Sequence, residues 1–484
     1  MSDAAAGLAP EQTVETDIPE RLDRLPWSGW HLRILVALGT SWLLDGLEVT
    51  LTGSLSGILQ SRQGLSLSEA QVTGAASCYL AGAVFGALLF GTLTDRFGRR
   101  KLFLITLATY SLATLATAFS FGIVSFSIFR FLVGMGIGGE YAAINSAVDE
   151  LIPGKVRGTV DLLVNATFWI GASLGSLATY ALLHGNGHLQ QVGWRWAFGI
   201  GGVLGAAVLL LRLRVPESPR WLMLRGREEE ASRIAGDIEA AVTKGNPASL
   251  PPLSGDKLKL AVTDHTPLRD ILKNMSGENR MRSVLSVVLM VAQAFFFNAV
   301  FFTYGLVIQR FYRVPSNDLP LHLLPFAVGS FLGPLVLGKL FDTWGRKPMI
   351  TLTYGLAGGL LVAALVPFGM DAIGPRALGI LFSIIFFIAS SAASAAYLTV
   401  SEIFPLEIRA FAIALFYAVG TLLGGVGAPL LFGVLINTGS HWAVAGGYAL
   451  GAMLMLVGAG FEWRYGVEAA GQSLEKVSKP MSSR

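Results

Sequence analysis

Long apolar runs, each closed by a short polar or glycine-containing connection, recur along nearly the whole chain. They fall at roughly 31–60, 72–93, 102–121, 123–148, 159–183, 194–213, 283–309, 321–340, 349–369, 376–400, 408–436 and 441–461. Most exceed the about 20 residues that an α-helix needs to cross a bilayer. The pattern predicts an all-α membrane protein with twelve transmembrane helices, six on each side of one long polar stretch at 214–282. That stretch holds Arg225, Arg227, Glu228, Glu229 and Glu230 and the loop-like Gly245-Asn-Pro-Ala-Ser-Leu-Pro251-Pro252, and no part of it suits lipid. Residues 228–241 predict a polar surface helix within a linker. The expected organisation is a cytoplasmic tail over 1–30, a bundle over 31–213, a linker with short helices over 214–282, a second bundle over 283–463 and a tail over 464–484.

The two bundles are related. Gly91-Thr-Leu-Thr-Asp95-Arg96-Phe-Gly98-Arg99-Arg100 returns as Gly338-Lys-Leu-Phe-Asp342-Thr-Trp-Gly345-Arg346-Lys347. Likewise Glu150-Leu-Ile-Pro153 with Arg157 returns as Glu402-Ile-Phe-Pro405 with Arg409. The first pair repeats at 247 residues (342 less 95) and the second at 252 (402 less 150). Motifs duplicated in one order imply two pseudo-symmetric halves, which in membranes enclose a substrate site at their interface and rock around it. Positive residues set the orientation. Arg96, Arg99, Arg100, Lys101, Lys155, Arg157, Arg346, Lys347 and Arg409 all lie on alternate connections of one side. Those connections and both termini are expected to be cytoplasmic, in a multi-pass protein of the cell (inner) membrane.

Composition sharpens this without changing it. With 53% hydrophobic and 14% charged residues and mean hydropathy +0.58, the chain is far more apolar than soluble domains with about 25% charged residues. The net charge of +4 sits mostly in connecting segments, so it records orientation and indicates no nucleic-acid partner. Cys78 is the one cysteine, which excludes intrachain disulfides and a Cys-rich metal cluster. The first thirty residues, with Glu15, Asp17 and Glu20 ahead of Arg21 and Arg24, lack the apolar core of a cleavable signal peptide. Gly134-Met-Gly136-Ile-Gly138-Gly139 fits the dinucleotide pattern in letters only, since it sits inside a span with no preceding strand. No phosphate loop, zinc-protease motif or nucleophile–base constellation occurs, so an enzyme, a cofactor and a metal are not expected. Glycines at helix-packing spacing, Gly82/Gly86, Gly134/Gly138, Gly171/Gly175, Gly329/Gly333 and Gly420/Gly424, predict close helix crossings, with hinging during transport as the alternative.

Four ionisable residues lie deep in apolar sequence: Asp45 and Glu48 in the first span, Arg130 and Glu140 in the fourth. A charge at mid-bilayer costs at least about 2.5 kcal/mol, so each needs a partner or a watery cavity. Asp45 and Glu48 share a helix face, and two carboxylates so close do not both ionise easily. One of them is then a natural proton carrier, with Arg130 neutralising the other; direct binding of a cationic substrate and static pairing are the alternatives. Arg130 and Glu140, about 15 Å apart along their helix, can also each hold neighbouring spans together. The second half replaces charges with aromatic and amide groups. In the seventh span Gln293, Phe297, Phe301 and Tyr304 recur at helical spacing, with Asn298 beside them. Apolar walls with a few placed hydrogen-bonding groups suit a small-molecule site; lipid contact or packing is the bland alternative for the aromatic residues.

Beyond the first thirty residues the chain resembles the major facilitator superfamily. The duplicated loops at 95–100 and 342–347 carry the likeness. Pro216-Glu217-Ser218-Pro219-Arg220-Trp221-Leu222, the Arg130-to-Gly138 segment, the two Glu/Pro/Arg loops and a tail at Glu468, Gly471 and Ser473-Leu-Glu475 resemble sugar porters in particular. Asp45-Gly46-Leu-Glu48 is similar to the Asp-Gly-x-Asp signature of aromatic-acid:proton symporters, and Gly138-Gly139-Glu140-Tyr141 to a segment of metabolite:proton symporters. The resemblance implies the major facilitator fold. It also places Glu48 where sugar-porter symporters carry a proton-coupling aspartate, and Arg130 where they carry its partner. Gly91, Asp95, Arg96, Gly98, Arg99, Glu150, Arg157, Glu217, Asp342, Gly345, Arg346, Glu402 and Arg409 fall in loops that act there as cytoplasmic charge clamps. Asn165 stands at the place of a sugar-binding glutamine, Gln293 and Asn298 keep half of a Gln-Gln-x-x-x-x-Asn pattern in which Ala292 replaces the first glutamine, and Tyr397 stands at the place of a tryptophan. These departures favour an organic or aromatic acid over a hexose.

The expectation is a proton-coupled symporter, with Asp45, Glu48, Arg130 and Glu140 in proton coupling and Asn165, Trp169, Gln293, Phe297, Asn298, Phe301, Tyr304, Tyr397 and Tyr417 lining the substrate site. Its partners would be a small-molecule substrate, protons and the lipid bilayer, with the chain monomeric. An efflux antiporter or uncoupled facilitator of sugar-like or cationic solutes, and a membrane metabolite sensor, are the rival readings.

Overall fold

The computed structural model describes residues 13–62, 64–183, 187–213, 215–255, 257–262, 266–315 and 318–481. The first bundle comprises α2 (Gly29–Ser54), with a short α3 (Ser56–Gln60) after it, α4 (Glu69–Phe97), α5 (Arg99–Thr117), α6 (Ile123–Leu151), α7 (Arg157–Leu183) and α8 (Gly187–Arg212). Ahead of it stand β1 (Thr13–Thr16) and α1 (Ile18–Asp23). The linker contains α9 (Pro219–Leu224), α10 (Glu228–Thr243), β2 (Leu258–Ala261) and α11 (Leu268–Ser276). The second bundle is built from α12 (Arg280–Tyr312), α13 (Leu319–Thr343), α14 (Arg346–Gly369), α15 (Pro375–Ile403), α16 (Arg409–Gly420) running through a π-helical segment Thr421–Val426 into α17 (Gly427–Asn437), and α18 (His441–Tyr465). A last turn, α19 (Leu474–Val477), closes the described chain.

Eleven of these spans are long and apolar enough by composition to cross a bilayer. The twelfth membrane-length helix of the expected set, α5, falls short of that apolarity. It opens on Arg99, Arg100 and Lys101 and carries Thr106, Ser111, Thr114 and Thr117, all four buried. Because α5 packs against α6 and α8, these hydroxyls face protein, and three of them bond the carbonyl one turn back. Polar residues inside a membrane domain are tolerated where they are satisfied in this way.

Glycine sets the crossings within each bundle, as the spacing predicts. A methyl group built on Gly82 or Gly86 of α4 would lie 2.1 or 2.0 Å from the carbonyl oxygens of Phe131 and Met135 on α6. One built on Gly333 of α13 would lie 1.8 Å from that of Phe387 on α15. Backbones this close exchange dispersion contacts where no hydrophobic force operates between helices. Between the bundles, α7 runs along α13 and α4 along α16.

Residues 13–23 form regular structure in place of the expected polar tail. Thr13–Thr16 alternates exposed and buried positions and pairs antiparallel with β2, Val14 opposite Leu260 and Glu15 opposite Lys259. Then α1 lies on α10, where Glu239 accepts from Arg21 at 2.7 Å and from Arg24 at 2.8 Å. Both described ends of the chain and the linker therefore meet at one end of the molecule, here the linker end. Burial pushes the Glu239 carboxyl up, but the bonds and charges of Arg21 and Arg24 outweigh it and hold the group below its usual value of 4.5. A carboxyl depressed in the folded state stabilises that state above its unfolded value and loses the contribution as pH falls through the folded one. The α1–α10 clasp is therefore expected to hold at neutral pH and to loosen as pH falls below the ordinary carboxylate range. Limited proteolysis near residue 21 across pH 3–7 checks this, and Glu239→Gln should remove the pH dependence.

Candidate functional site

A cavity of about 190 Å³ lies between the bundles, lined by Trp42, Tyr79, Tyr141, Asn165, Phe168, Trp169, Gln293, Phe297, Asn298, Phe301, Ser390, Ser394, Tyr397, Tyr417 and Thr421 among others. Trp169 of α7 meets Phe297 and Phe301 of α12, ring centres 5.6 and 5.1 Å apart, so aromatic contact joins the two bundles across it. On the other side Tyr141 stacks on Trp42 at 4.3 Å and stands edge-on to Tyr417 at 4.7 Å. The π-helical turn places Thr421 and Gly425 at the wall, an interruption that recurs at functional sites. Gly420, Gly424, Gly425 and Gly427 within a few residues are the sequence sign of that break.

The structure brings eight of the expected substrate residues together: Asn165, Trp169, Gln293, Phe297, Asn298, Phe301, Tyr397 and Tyr417 border this cavity. Tyr304 does not. It shares the helical face of Gln293 but lies eleven residues on, about 16 Å further along the axis. There it is sealed between Phe326 of α13, 4.5 Å away, and Phe382 of α15, 6.0 Å away. Trp42, Tyr79, Tyr141 and Thr421 were not foreseen; tyrosine and tryptophan inside spans, whose polar tips need partners when buried, were the available signal.

The deep charges sort into two separate groups. Glu48, 1% exposed, accepts a short bond from Arg130, and its other oxygen accepts from Thr114 at 2.8 Å. Three residues earlier, Asp45 has no cation within ion-pair distance among the described residues. It accepts instead from Tyr79 at 3.2 Å and, closely, from Tyr141. The Arg130 guanidinium lies 4.8 Å over the Tyr79 ring, which links the two acids through one phenol. Glu140 stands apart from this group. Arg212 of α8 binds it at 2.8 Å and Ser41 at 2.5 Å, so it forms a bridge between α2, α6 and α8 separate from the Asp45–Glu48–Arg130 set. Arg212 lies at the very end of an apolar run, which hid it as a partner.

At the linker end the duplicated loops interlock. Gly98 and Gly345 adopt φ of +94° and +110°, a region closed to most side chains, and so turn α4 into α5 and α13 into α14. A methyl group on either would come within 2.3 and 2.4 Å of Glu217 and Glu468. These carboxylates cap the next helix: Glu217 accepts from the Arg99 N–H at 2.9 Å, Glu468 from the Arg346 N–H at 2.8 Å. Burial still pushes the Glu217 carboxyl above its usual value, despite the N–H groups of Ser218, Arg99 and Arg100. Within each bundle Arg99 binds Glu150 at 2.8 Å and Arg346 binds Glu402 at 3.0 Å.

Between bundles the aspartates cross over. Asp95 accepts from the Phe411 N–H at the start of α16, 2.9 Å, and Asp342 from Gly158 and Thr159 at the start of α7, 3.0 and 2.7 Å. Arg157 reaches Glu402 at 3.6 Å and Arg409 reaches Glu150 at 3.8 Å. Gly91 faces Ala414 of α16, closing that crossing. Arg96 is the exception: exposed, it lies over Phe97 at 5.2 Å and makes no ion pair among the described residues. The linker end is thus shut by reciprocal helix caps and ion pairs.

Two six-helix halves around one cavity, locked by duplicated clamps, define a transporter of the major facilitator class. Residues 38–480 match the sugar (and other) transporter family model, and the chain belongs to that family. It is a multi-pass membrane transporter, not an enzyme. It is 27% identical to the niacin transporter NiaP of Acinetobacter baylyi over 95% of this chain and 99% of that one. It is 28% identical to the putative metabolite transport protein YyaJ of Bacillus subtilis over 90% and 94%. Its backbone matches the proton:xylose symporter XylE of E. coli, bound to 6-bromo-6-deoxy-D-glucose, with TM-score 0.74 at 21% identity, over 92% of this chain and 98% of that one.

Each cap bond to a charged acceptor contributes about 1.5–3 kcal/mol. Asp342→Ala should therefore speed amide exchange at residues 158–159 by about tenfold or more, and Asp95→Ala should do the same at residue 411. Unchanged protection in hydrogen-exchange mass spectrometry would show that these caps do not hold the bundles together.

Proposed function

We propose that this chain is a proton-coupled symporter that carries a small organic metabolite, an organic or aromatic acid in preference to a sugar, by alternating access as a monomer. The clamped linker end faces the cytoplasm, in keeping with the positive residues gathered there. One observation carries the reading: the walls of the cavity are the donors that hold Asp45. Tyr79 and Tyr141 border the substrate space with their rings and bind the carboxylate with their hydroxyls. A proton on Asp45 removes a negative charge from directly behind the cavity wall, so an anionic solute binds better once it is loaded. By linkage the solute then strengthens proton binding equally. Among the described residues no Lys, Arg or His borders the cavity, so such an anion depends on that proton. Aromatic walls and the amides of Asn165, Gln293 and Asn298 fit a planar acid, and the likeness to a niacin transporter agrees with this choice.

The same cavity favours one other reading. Aromatic rings without basic neighbours also attract organic cations, for which proton and solute would compete, giving antiport.

The test begins with a thermal-shift screen of aromatic acids, aliphatic acids, sugars and organic cations, since a ligand of the folded state raises Tm. The selected solute is then followed in proteoliposomes. Under an inward proton gradient the native chain should accumulate it. Glu48→Gln and Asp45→Asn should retain solute exchange but lose accumulation by about tenfold, within ordinary coupling energies. Accumulation that survives both substitutions contradicts symport; expulsion of a cation under the same gradient establishes the antiporter.

A further inference from the structure

Beneath the cavity, toward the clamps, a second set of buried polar groups has no place in the site described so far. On α6 Tyr141, Asn145 and Asp149 follow at four-residue spacing, hence one above the other on one face. On α7 Asn165 and Asp161 stand likewise. Asn165 Nδ2 donates to Asn145 Oδ1 at 3.4 Å and to Asp161 Oδ2 at 3.2 Å, while Asn145 Nδ2 donates to the Tyr141 carbonyl at 2.8 Å. A polar ladder therefore descends from the Asp45 partner Tyr141 to the clamp. Asp161 and Asp149 are both 0% exposed.

Asp161 has no ion pair among the described residues, and its Oδ1 has no hydrogen-bond donor there. The Oδ1 of Asn165, a residue 6% exposed that borders the cavity, is also without a donor among the described residues. The charges facing Asp161 are Asp149 from α6, Glu402 from α15 and Arg346 from α14. That arginine is already engaged by Glu402 and Asp342, and Arg157 and Arg409 face Asp149. Two acids against one committed guanidinium leave Asp161 without a cation of its own. A bare carboxylate at this depth costs several kcal/mol unless it is neutralised.

We propose that Asp161 is a second proton station, on the cytoplasmic side of the cavity: neutral while the clamps are shut, it passes its proton to the cytoplasm when they part and is then reloaded by the proton that Asp45 releases. The proposal rests on the proton-coupled reading above. The step balances as one proton leaving the Asp45 carboxyl while the Asp161 carboxylate becomes a carboxylic acid. In the clamped state the two amides separate the stations. An amide relays protons poorly, so this layer prevents leakage. When α7 moves away from α13, water reaches Asp161 and completes the transfer.

Infrared difference spectra of the full chain in lipid vesicles, with pH as the only variable, test this without a substrate. The native chain should show protonated-carboxyl bands that titrate and shift on H/D exchange. Asp161→Asn should remove one of them and leave the band lost in Asp45→Asn. If Asp161→Asn does not fold, Asp161→Glu carries the test, since it should keep the band at a shifted frequency and midpoint. A spectrum unaltered by either Asp161 substitution, or a band that is lost but never titrated, overturns the station. Loss of a titrating band in Asp161→Asn but not in Asp45→Asn overturns the coupling reading instead.

Discussion

A guanidinium and a carboxylate sealed from water stay charged only while each neutralises the other, and the interior of the first bundle is organised around that constraint. Removing one partner of a buried pair typically costs 3–5 kcal/mol, because the other is left uncompensated. Glu48 on α2 and Arg130 on α6 form such a pair. Asp45, one turn away, receives phenols and, among the described residues, no cation. The bundle can thus hold one ionised acid at no electrostatic deficit, while the second acid depends on the cavity that its tyrosine partners border. Both acids lie on α2, and both Arg130 and Tyr141 lie on α6, so any change of charge acts on the contact between those two helices.

The clamps translate the same physics to the linker end. Each bundle contributes an aspartate that caps a helix of the other, and each arginine–glutamate pair inside one bundle is within reach of an arginine from its counterpart. The caps use the partial positive charge of the α7 and α16 N-termini, and they fail together once the bundles separate. Arg157 also contacts Asp23 at 3.3 Å, and Arg220 joins Asp23 at 3.1 Å to Glu475 at 2.7 Å. The N-terminal segment, linker and C-terminal turn are therefore fastened to the clamp itself.

Much of this was legible in the sequence, for identifiable reasons. Apolar runs of membrane length and glycines at four-residue spacing dictate helices and their crossings almost without tertiary context. The duplicated Asp/Gly/Arg loops showed both the two halves and the clamp. What was hidden depends on depth and partner. Tyr304 obeys the helical face of Gln293 yet lies beyond the cavity, because periodicity gives direction around an axis and not height along it. Glu140 was grouped with the proton carriers, and its partner Arg212, distant in sequence, was not foreseen. Asp149 and Asp161 sit next to clamp residues in sequence and drew no reading of their own; only the packing of α6 on α7 shows them buried beneath the cavity. The strand at Thr13–Thr16 has four residues and partners 242 (258 less 16) to 248 (261 less 13) positions away, too little local signal to expect.

The central claim is that solute movement and proton movement through this chain are one process. The most direct measurement is the reversal point of solute flux in proteoliposomes as opposing pH and solute gradients are varied together. Coupling through Asp45 and Glu48 predicts that net flux vanishes only where the proton electrochemical gradient balances the solute gradient, so that each change in pH moves the reversal point. A reversal point fixed by the solute gradient alone, at every pH, would contradict the account.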